Sequence, residues 1–433
     1  MARVTFVGGI HPPGHKLATR ELPIARAPIP HRLVVPMSQH LGAPCQPLVS
    51  EGDPVLRGQK IGDVEAMVSA PVHSPATGYV TGIVDTLTPS GTRSVAVQIE
   101  PTRPQDLEQY VELEISDDPR QTARASGMVG LGGAAFPSHV KLAPPKGMTI
   151  ETLIINGCEC EPYLTCDERL MIEHPASIIA GARLMRDAVG ASRVVVGIED
   201  NKPEAIERMK PAAEDGIEVL ALPTKYPQGA EKMLISAVLG REVGHGNLPA
   251  SAGALVSNVA TAAALADAVE RRRPLMERVV TVTGAVKRPG NYLVLIGTLV
   301  SDLVEAAGGL EADADRVIAG GPMTGFALGS LDVPVVKGTS GIVALRKGEV
   351  GPSLEGDQPC IRCARCTRVC PMFLQPWAIG IAGNRRDWDG AEHYHALDCI
   401  ECGSCSYICP TRRPLVQLIR RSKHALLERG AKL

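Results

Sequence analysis

The sequence predicts a multidomain α/β + β chain, and three observations carry that prediction. Short apolar segments between residues 30 and 115 are punctuated by Gly, Pro and Asp, as in an all-β domain. From 116 to 275, continuous apolar runs alternate with helical stretches, the rhythm of a parallel sheet. After a strand–turn–strand–helix–strand unit at 276–350, two identical four-cysteine runs occupy 351–433. At 433 residues the chain is too long for one hydrophobic core, so several domains are required.

Composition excludes several classes. Hydrophobic residues at 44% and charged residues at 21% describe a globular protein. A formal net charge of −2 gives no reason to expect nucleic acid as a partner. The opening MARVTFVGGIHPPGHK lacks the apolar core of a signal peptide, and no unbroken run reaches membrane-spanning length. The nearest, Ala250 to Ala266, is interrupted by Ser251, Ser257, Asn258 and Thr261 and reads as a buried helix. With eight of twelve cysteines in patterned runs, a reducing, cytoplasmic compartment is expected.

Residues 1–29 read as an arm without periodicity, in which GGIHPPGHK is turn chemistry and His11 and His15 are surface histidines. Within 30–115, EGDPVLRGQKIG and SAPVHSPATGYVTGI resemble the flattened barrel of lipoyl and biotinyl carriers, a barrel-sandwich hybrid. Those carriers need a lysine on the hairpin between their halves. The corresponding DVEAMVSAP has none, so a structural barrel without a swinging cofactor is expected.

In 116–275 the strands are LIIN at 153–156, RVVVGI at 193–198 and IEVLAL at 217–222. Helical stretches PASIIAGARLMRDAVG and KPEAIERMKPAAEDG separate them, each closed by Gly. A Rossmann-like sheet of this kind places ligand sites at the C-terminal ends of its strands. In 276–350, VVTVTG and YLVLI flank a turn KRPGN, and a helix N-capped by Ser301 stops at Gly308-Gly309, the order of a β-grasp unit. Gly320 to Pro322, with Gly325, makes a tight loop. The tail LVQLIRRSKHALLERGAKL is a basic helix with an apolar stripe at Leu415, Leu418, Ile419, Leu426 and Leu427. Such a stripe suits packing on its own domain, or docking on a partner or an anionic membrane.

The cysteines carry the sharpest chemistry. Cys360, Cys363, Cys366 and Cys370 follow C-x2-C-x2-C-x3-C-P, and Cys399, Cys402, Cys405 and Cys409 repeat it. Thiolates at that spacing wrap a cubane iron–sulfur cluster, and in two-cluster ferredoxins the fourth cysteine of each run ligates the other cluster. One [4Fe-4S] cluster is thereby assigned to Cys360, Cys363, Cys366 and Cys409, the second to Cys399, Cys402, Cys405 and Cys370. Zinc rarely needs eight thiolates in two identical runs, and a disulfide scaffold of this size would carry a secretory signal. The connector LQPWAIGIAGNRRDWDGAEHYHAL has helical spacing, so the α-helical form of a two-[4Fe-4S] ferredoxin domain is expected.

A second chemical segment is GMVGLGGAAFP, from Gly127 to Pro137, followed by SHVK ending at Lys141. Glycine-rich backbone brings several N–H groups against a phosphate or a flavin ring, and Lys141 supplies a countercharge. NGCECEP, Asn156 to Pro162, follows the first parallel strand and brings Glu159 and Glu161 to a strand end.

GLGGAAFPSHVKL, NGCECEPYLTCDERLM, TKYPQGAEKMLI and the two cysteine runs together resemble the RnfC family, subunits of the Rnf electron transport complexes, over nearly the whole chain. The α/β part is similar to the NADH-binding flavoprotein subunit of respiratory complex I, and the β-grasp unit is of SLBB type. The resemblance implies FMN on the glycine-rich loop, NAD(H) stacking on its exposed face, and electron exchange with ferredoxin coupled to ion translocation by partner subunits. It implies a peripheral position at the cytoplasmic face of a bacterial inner membrane, among ferredoxin-type and integral membrane flavoprotein subunits. Carried over position by position, Gly130, Gly132 and Gly133 would line FMN and Lys141 would meet its phosphate. Asn156 and Glu159 match positions holding the flavin and ribityl chain. Tyr226, Gly229 and Glu231 match a second flavin loop, and Asn258 and Thr261 a phosphate-side turn. Phe136, Glu161 and Glu231 are the expected NADH contacts, Phe136 by stacking on adenine.

The chain departs from the pattern at Ala135, where Gly is usual and a methyl beside the ligand is expected, and at Ala230 and Cys158, where acids are usual. Cys45, Cys158, Cys160 and Cys166 read as free thiols. Two rival readings follow: a soluble reductase of the cobalamin reductase type, and an adaptor that relays electrons through the clusters without flavin.

Overall fold

The structure is a computed structural model that describes residues 5–114, 116–213, 216–349 and 359–431. The barrel is built from two sheets, one ordered Leu33–Pro36, Arg93–Pro101, Gly78–Leu87, Pro54–Val55, the other Gln46–Pro47, Lys60–Asp63, Val72–His73. Gly78–Leu87 buries alternate residues along its first half, as a strand with one wet face must. Leu33, Val35, Ile61, Val72, Val97 and Ile99 from both sheets share one core.

The α/β domain centres on a four-stranded parallel sheet ordered Ile217–Leu222, Arg193–Glu199, Thr152–Asn156, Ala254–Asn258. Helices Pro175–Val189 and Val259–Glu270 cross closely because position 181 is glycine: a Cβ there would lie 1.8 Å from the Ala262 carbonyl oxygen. The fourth strand corrects the reading of Ala250 to Ala266 as one helix. Gly253, at φ +69°, ends a short 3-10 turn, ALVSN then pairs with Thr152–Asn156, and a new helix starts at Val259. The polar interruptions mark that change of element. Asn258 is the N-cap, its side chain accepting from the Ala260 N–H at 2.8 Å.

The β-grasp sheet runs Ile24–Arg26, Gly290–Leu295, Glu277–Gly284, Gly341–Arg346, Ala314–Ala319, Phe326–Ala327. Its first strand belongs to the arm and pairs in parallel with Gly290–Leu295, so the arm is structured rather than loose. The helix is Val300–Ala306, with Leu299 in extended backbone as its N-cap. Ser301 already lies in the first turn, its N–H bonded to the Leu331 carbonyl at 3.0 Å, and is not the cap expected of it.

A carboxylate pins these units together. Glu277 receives Arg26 at 2.9 Å, Arg57 at 3.0 Å and Arg273 at 2.5 Å, from the arm, the barrel and the segment before the β-grasp. Burial alone would raise its pKa, but the three guanidiniums win and hold it down at about 2.

The cysteine-rich domain is helical, with Pro376–Arg385 packed on Leu415–Glu428. Gly383 permits the approach, since a Cβ would sit 2.5 Å from Ser422 Oγ. Leu415, Leu418, Ile419 and Leu426 are buried in their own domain, and Leu427 is 38% exposed. The tail's apolar stripe is therefore used internally. Among the described residues, no helix is long and apolar enough to cross a membrane.

Candidate functional site

A cleft of about 230 Å³ opens at the C-terminal ends of Thr152–Asn156 and Ala254–Asn258, where a parallel sheet presents polar groups. One wall is the glycine-rich loop. The Gly130 N–H donates to the Phe136 carbonyl at 2.8 Å, closing the loop, and Leu131 N–H donates to Thr261 Oγ1 at 2.9 Å, fixing it to helix Val259–Glu270. Gly132 faces Asn258, where an added Cβ would come within 3.3 Å of the Asn258 side chain. Gly133 needs glycine for its backbone, at φ +111°, and has open space around it.

Asn258 serves three neighbours at once. Its oxygen caps the helix, its nitrogen donates to Asp167 Oδ2 at 2.6 Å, and its body lines the cleft. Asn156 is similarly anchored, accepting from the Cys158 N–H at 3.1 Å and donating to the Gly229 carbonyl at 2.8 Å. At the rim, Lys141 and Glu231 form an ion pair of 2.6 Å, with side chains 33% and 37% exposed. Phe136, Gly229 and Thr261 also line the cleft, whereas Gly133 lies just outside its lining.

Motif reasoning does not single out Ser138 or Asp167. Ser138 lines the cleft with a buried Oγ that has no hydrogen-bond partner. Its place immediately after the glycine-rich loop, at the start of a short helix, is the signal the sequence offers for it. Asp167 is buried, and burial together with the Glu159 carboxylate pushes its pKa well up. An orphaned hydroxyl, a cation at the rim and an open glycine backbone fit a flavin carrying a phosphate. Ala135, at φ +50°, packs its methyl against the cluster of Ala70, Val129, Leu131, Leu275 and Ile296 and is absent from the lining. The expected methyl therefore packs into that cluster rather than into the cleft.

Besides Gly133, three expected ligand contacts are placed elsewhere. Glu159 caps helix Cys166–Glu173, accepting from Asp167 N at 2.8 Å and Glu168 N at 3.0 Å, because those first-turn donors have no helical partner. Glu161 reaches the β-grasp loop, where Oε1 accepts from Met323 N at 2.6 Å and Thr324 N at 3.0 Å. Gly321 is glycine because a Cβ would lie 2.0 Å from the Glu161 Cγ. Tyr226 is buried, and its hydroxyl donates to the Cys402 carbonyl at 2.7 Å. None of the three lines the cleft.

That tyrosine contact leads to the cysteines. Cys370 from the first run lines one cavity with Cys399, Cys402 and Cys405 from the second, walled by Leu374, Val416 and Ile419. Burial pushes the Cys399 thiol up to about 12 and raises that of Cys405 as well, with the neighbouring sulfurs adding to the effect on both. Four such sulfurs ionise together only against strong positive charge, which iron provides. In the other set, burial raises Cys366 and the Cys360 sulfur adds to it, while Cys409 Sγ lies 3.4 Å from Thr411 Oγ1. The repeat extends to the backbone: Arg362 and Glu401, Ala364 and Gly403, and Phe373 and Arg412 are matched pairs, all at positive φ. These left-handed residues give the two runs the same backbone path.

Four family descriptions match the chain: the RnfC barrel sandwich hybrid domain at 4–104, the Nuo51 FMN-binding domain at 123–267, the SLBB domain at 279–327 and the 4Fe-4S dicluster domain at 354–410. Among curated proteins, a subunit of the proton-translocating ferredoxin:NAD(+) oxidoreductase complex of Clostridium ljungdahlii is 46% identical, over 96% of this chain and 93% of that one. Its counterpart in the Na(+)-translocating ferredoxin:NAD(+) oxidoreductase complex of Acetobacterium woodii is 43% identical over 99% and 98%. The counterpart in the ion-translocating oxidoreductase complex of Rhodobacter capsulatus is 41% identical over 98% and 84%. Among solved structures, an NAD+-reducing [NiFe]-hydrogenase in the H2-reduced state shares the fold, at a TM-score of 0.50 and 20% identity over 71% of this chain and 62% of that one.

Proposed function

This chain belongs to the RnfC family, subunits of ion-translocating ferredoxin:NAD(+) oxidoreductase complexes, and from that premise we propose how it carries electrons. It is the peripheral subunit at which electrons pass between NAD(H) and ferredoxin, through FMN in the cleft and two [4Fe-4S] clusters in the cysteine cages. FMN, when bound, supplies the exchange between a hydride and single electrons, and the clusters supply one-electron carriage.

The protein's own residues bind, orient and connect. Lys141 is the phosphate-side cation, and Ser138 offers the phosphate a hydroxyl partner within the cleft. Asn156 and Asn258, each held by two bonds to protein, present fixed surfaces rather than mobile amides. Phe136 and Glu231 form the NAD(H) side of the opening. The first-run cluster is held by Cys360, Cys363, Cys366 and Cys409, and the second by Cys399, Cys402, Cys405 and Cys370. The partners we propose are ferredoxin-type and integral membrane flavoprotein subunits, with this chain on the cytoplasmic face of the inner membrane.

The observation that carries this reading is the short loop Tyr226 to Gly229. At one end Gly229 lines the cleft, and at the other the Tyr226 hydroxyl is bonded to the Cys402 carbonyl, so one four-residue loop joins cleft and cage. Anaerobic reconstitution with iron, sulfide and FMN, followed by NADH and an optical spectrum, tests it. Stoichiometric flavin bleached by NADH is expected. Protein that holds eight irons yet neither retains FMN nor is reduced by NADH would establish a flavin-less relay instead.

A further inference from the structure

Away from the cleft and the cages, one group of metal-type side chains spans two domains. His245 lies in the loop that follows helix Glu231–Leu239 of the α/β domain, and its Nδ1 is 2.6 and 2.7 Å from the two carboxylate oxygens of Asp398. His395 approaches the same carboxylate, with Nδ1 3.9 Å from Oδ2. The ligand atoms of all three lie within 4.8 Å of one another.

The local fold explains the juxtaposition. His395, at φ +59°, caps the 3-10 turn Ala396–Asp398, and three residues per turn bring positions i and i+3 onto one edge. The third donor comes from 153 residues away in the chain. A hydrogen bond between His245 and Asp398 would explain two of the three side chains. His395 joins them without a hydrogen bond: its Nδ1 stands 3.9 Å from the carboxylate, and its ring meets that of His245 edge-on, 5.8 Å away at 70°.

Two imidazoles and a carboxylate are a borderline-ion donor set, and three protein ligands with a fourth position open is a recurrent zinc arrangement. Metal–ligand bonds of about 2.0–2.2 Å set tetrahedral donors about 3.4 Å apart. The 2.6–3.9 Å separations to Asp398 bracket that value. The imidazole side chains are 70% and 66% exposed and the carboxylate 15%, so an ion reaches a sheltered anion from solvent.

We propose that His245, His395 and Asp398 form a divalent-metal site of the Zn2+ class that clamps the ferredoxin domain onto the α/β domain. Asp398 directly precedes Cys399, so the clamp fixes the second-run cage relative to the cleft. The proposal stands on these three side chains and does not depend on which electron donor the protein uses.

The test is anaerobic calorimetric titration of the iron-loaded full chain with Zn2+ alone, with iron content measured before and after to show that no cluster iron is displaced. One equivalent is expected to bind to the wild type with an affinity that falls at least roughly tenfold in His245→Ala, in His395→Ala and in Asp398→Asn. Should Asp398→Asn disturb the neighbouring cage, the two histidine variants, both at exposed positions, decide the matter. Zn2+ should also raise the unfolding temperature of the wild type and not that of His245→Ala. Absence of Zn2+ binding to the wild type, or equal affinity in wild type and both histidine variants, overturns the site. Binding weakened by His395→Ala but unaffected by His245→Ala overturns the clamp.

Discussion

Asn258 shows how much one side chain carries here: it caps a helix, satisfies a buried carboxyl and forms part of a cleft wall. Replacing it with Ala removes the cap, at about 1 kcal/mol, and strips Asp167 of its donor, so a total loss of about 2–3 kcal/mol is expected in denaturant unfolding. Lys141→Ala removes the rim cation, and FMN affinity measured by flavin fluorescence should fall about tenfold, the scale of one charge-assisted hydrogen bond. Full flavin occupancy in that variant would sink the phosphate role. The loop glycines and Lys141 were legible from sequence because backbone reach and charge are local properties. Glu159, Glu161 and Tyr226 point away from the cleft for the opposite reason. A motif match says which residue stands at a position, whereas its direction was decided by partners such as Met323 and Cys402, which lie 162 and 176 residues away.

Among elements, the Glu277 clasp makes the most specific demand. Its folded pKa of about 2 lies below the ordinary 4.5, so its stabilisation is complete above about pH 4.5 and is lost as pH falls toward 2. The shift corresponds to about 3 kcal/mol. Glu277→Gln should lower the unfolding temperature at pH 7, and the gap to wild type should narrow steadily at pH 4 and 3. A gap independent of pH would show that packing, and not charge, holds the junction. Gly181→Ala should prove severe for a different cause, driving a methyl into the Ala262 carbonyl and costing about 2–3 kcal/mol by calorimetry. Strand–helix rhythm was readable wherever an element filled its apolar run. The strand Ala254–Asn258 was hidden because strand and helix share one apolar composition broken only by small polar residues, and one of these, Asn258, was the boundary signal. Likewise Ser301 has the chemistry of a cap, but the extended backbone of Leu299 starts the helix earlier.

For the molecule as a whole, the four-domain inventory follows from punctuation and cysteine spacing, while the packing of one domain on another left no local trace. The cages allow a direct check of their shared wiring. Cys370→Ala should cost the second-run cluster and Cys409→Ala the first-run cluster, each halving the iron and leaving one cluster visible by electron paramagnetic resonance. Loss of the cluster nearest in sequence in each case would mean that each run closes on itself. The arm belongs to this scale as well. Gly9 N–H bonds to the Val369 carbonyl at 2.8 Å, Ile10 pairs with Tyr226, Lys16 reaches the carbonyls of Glu159 and Glu161 at 2.9 and 3.0 Å, and Ile24–Arg26 completes the β-grasp sheet. That segment precedes in the chain every domain it joins, and its contact with Val369 awaits the cysteine-rich domain, which follows the other three. The arm's bonds to the α/β domain and the β-grasp sheet can form without that domain, and only its last bond, to Val369, reports that the cysteine-rich domain has docked.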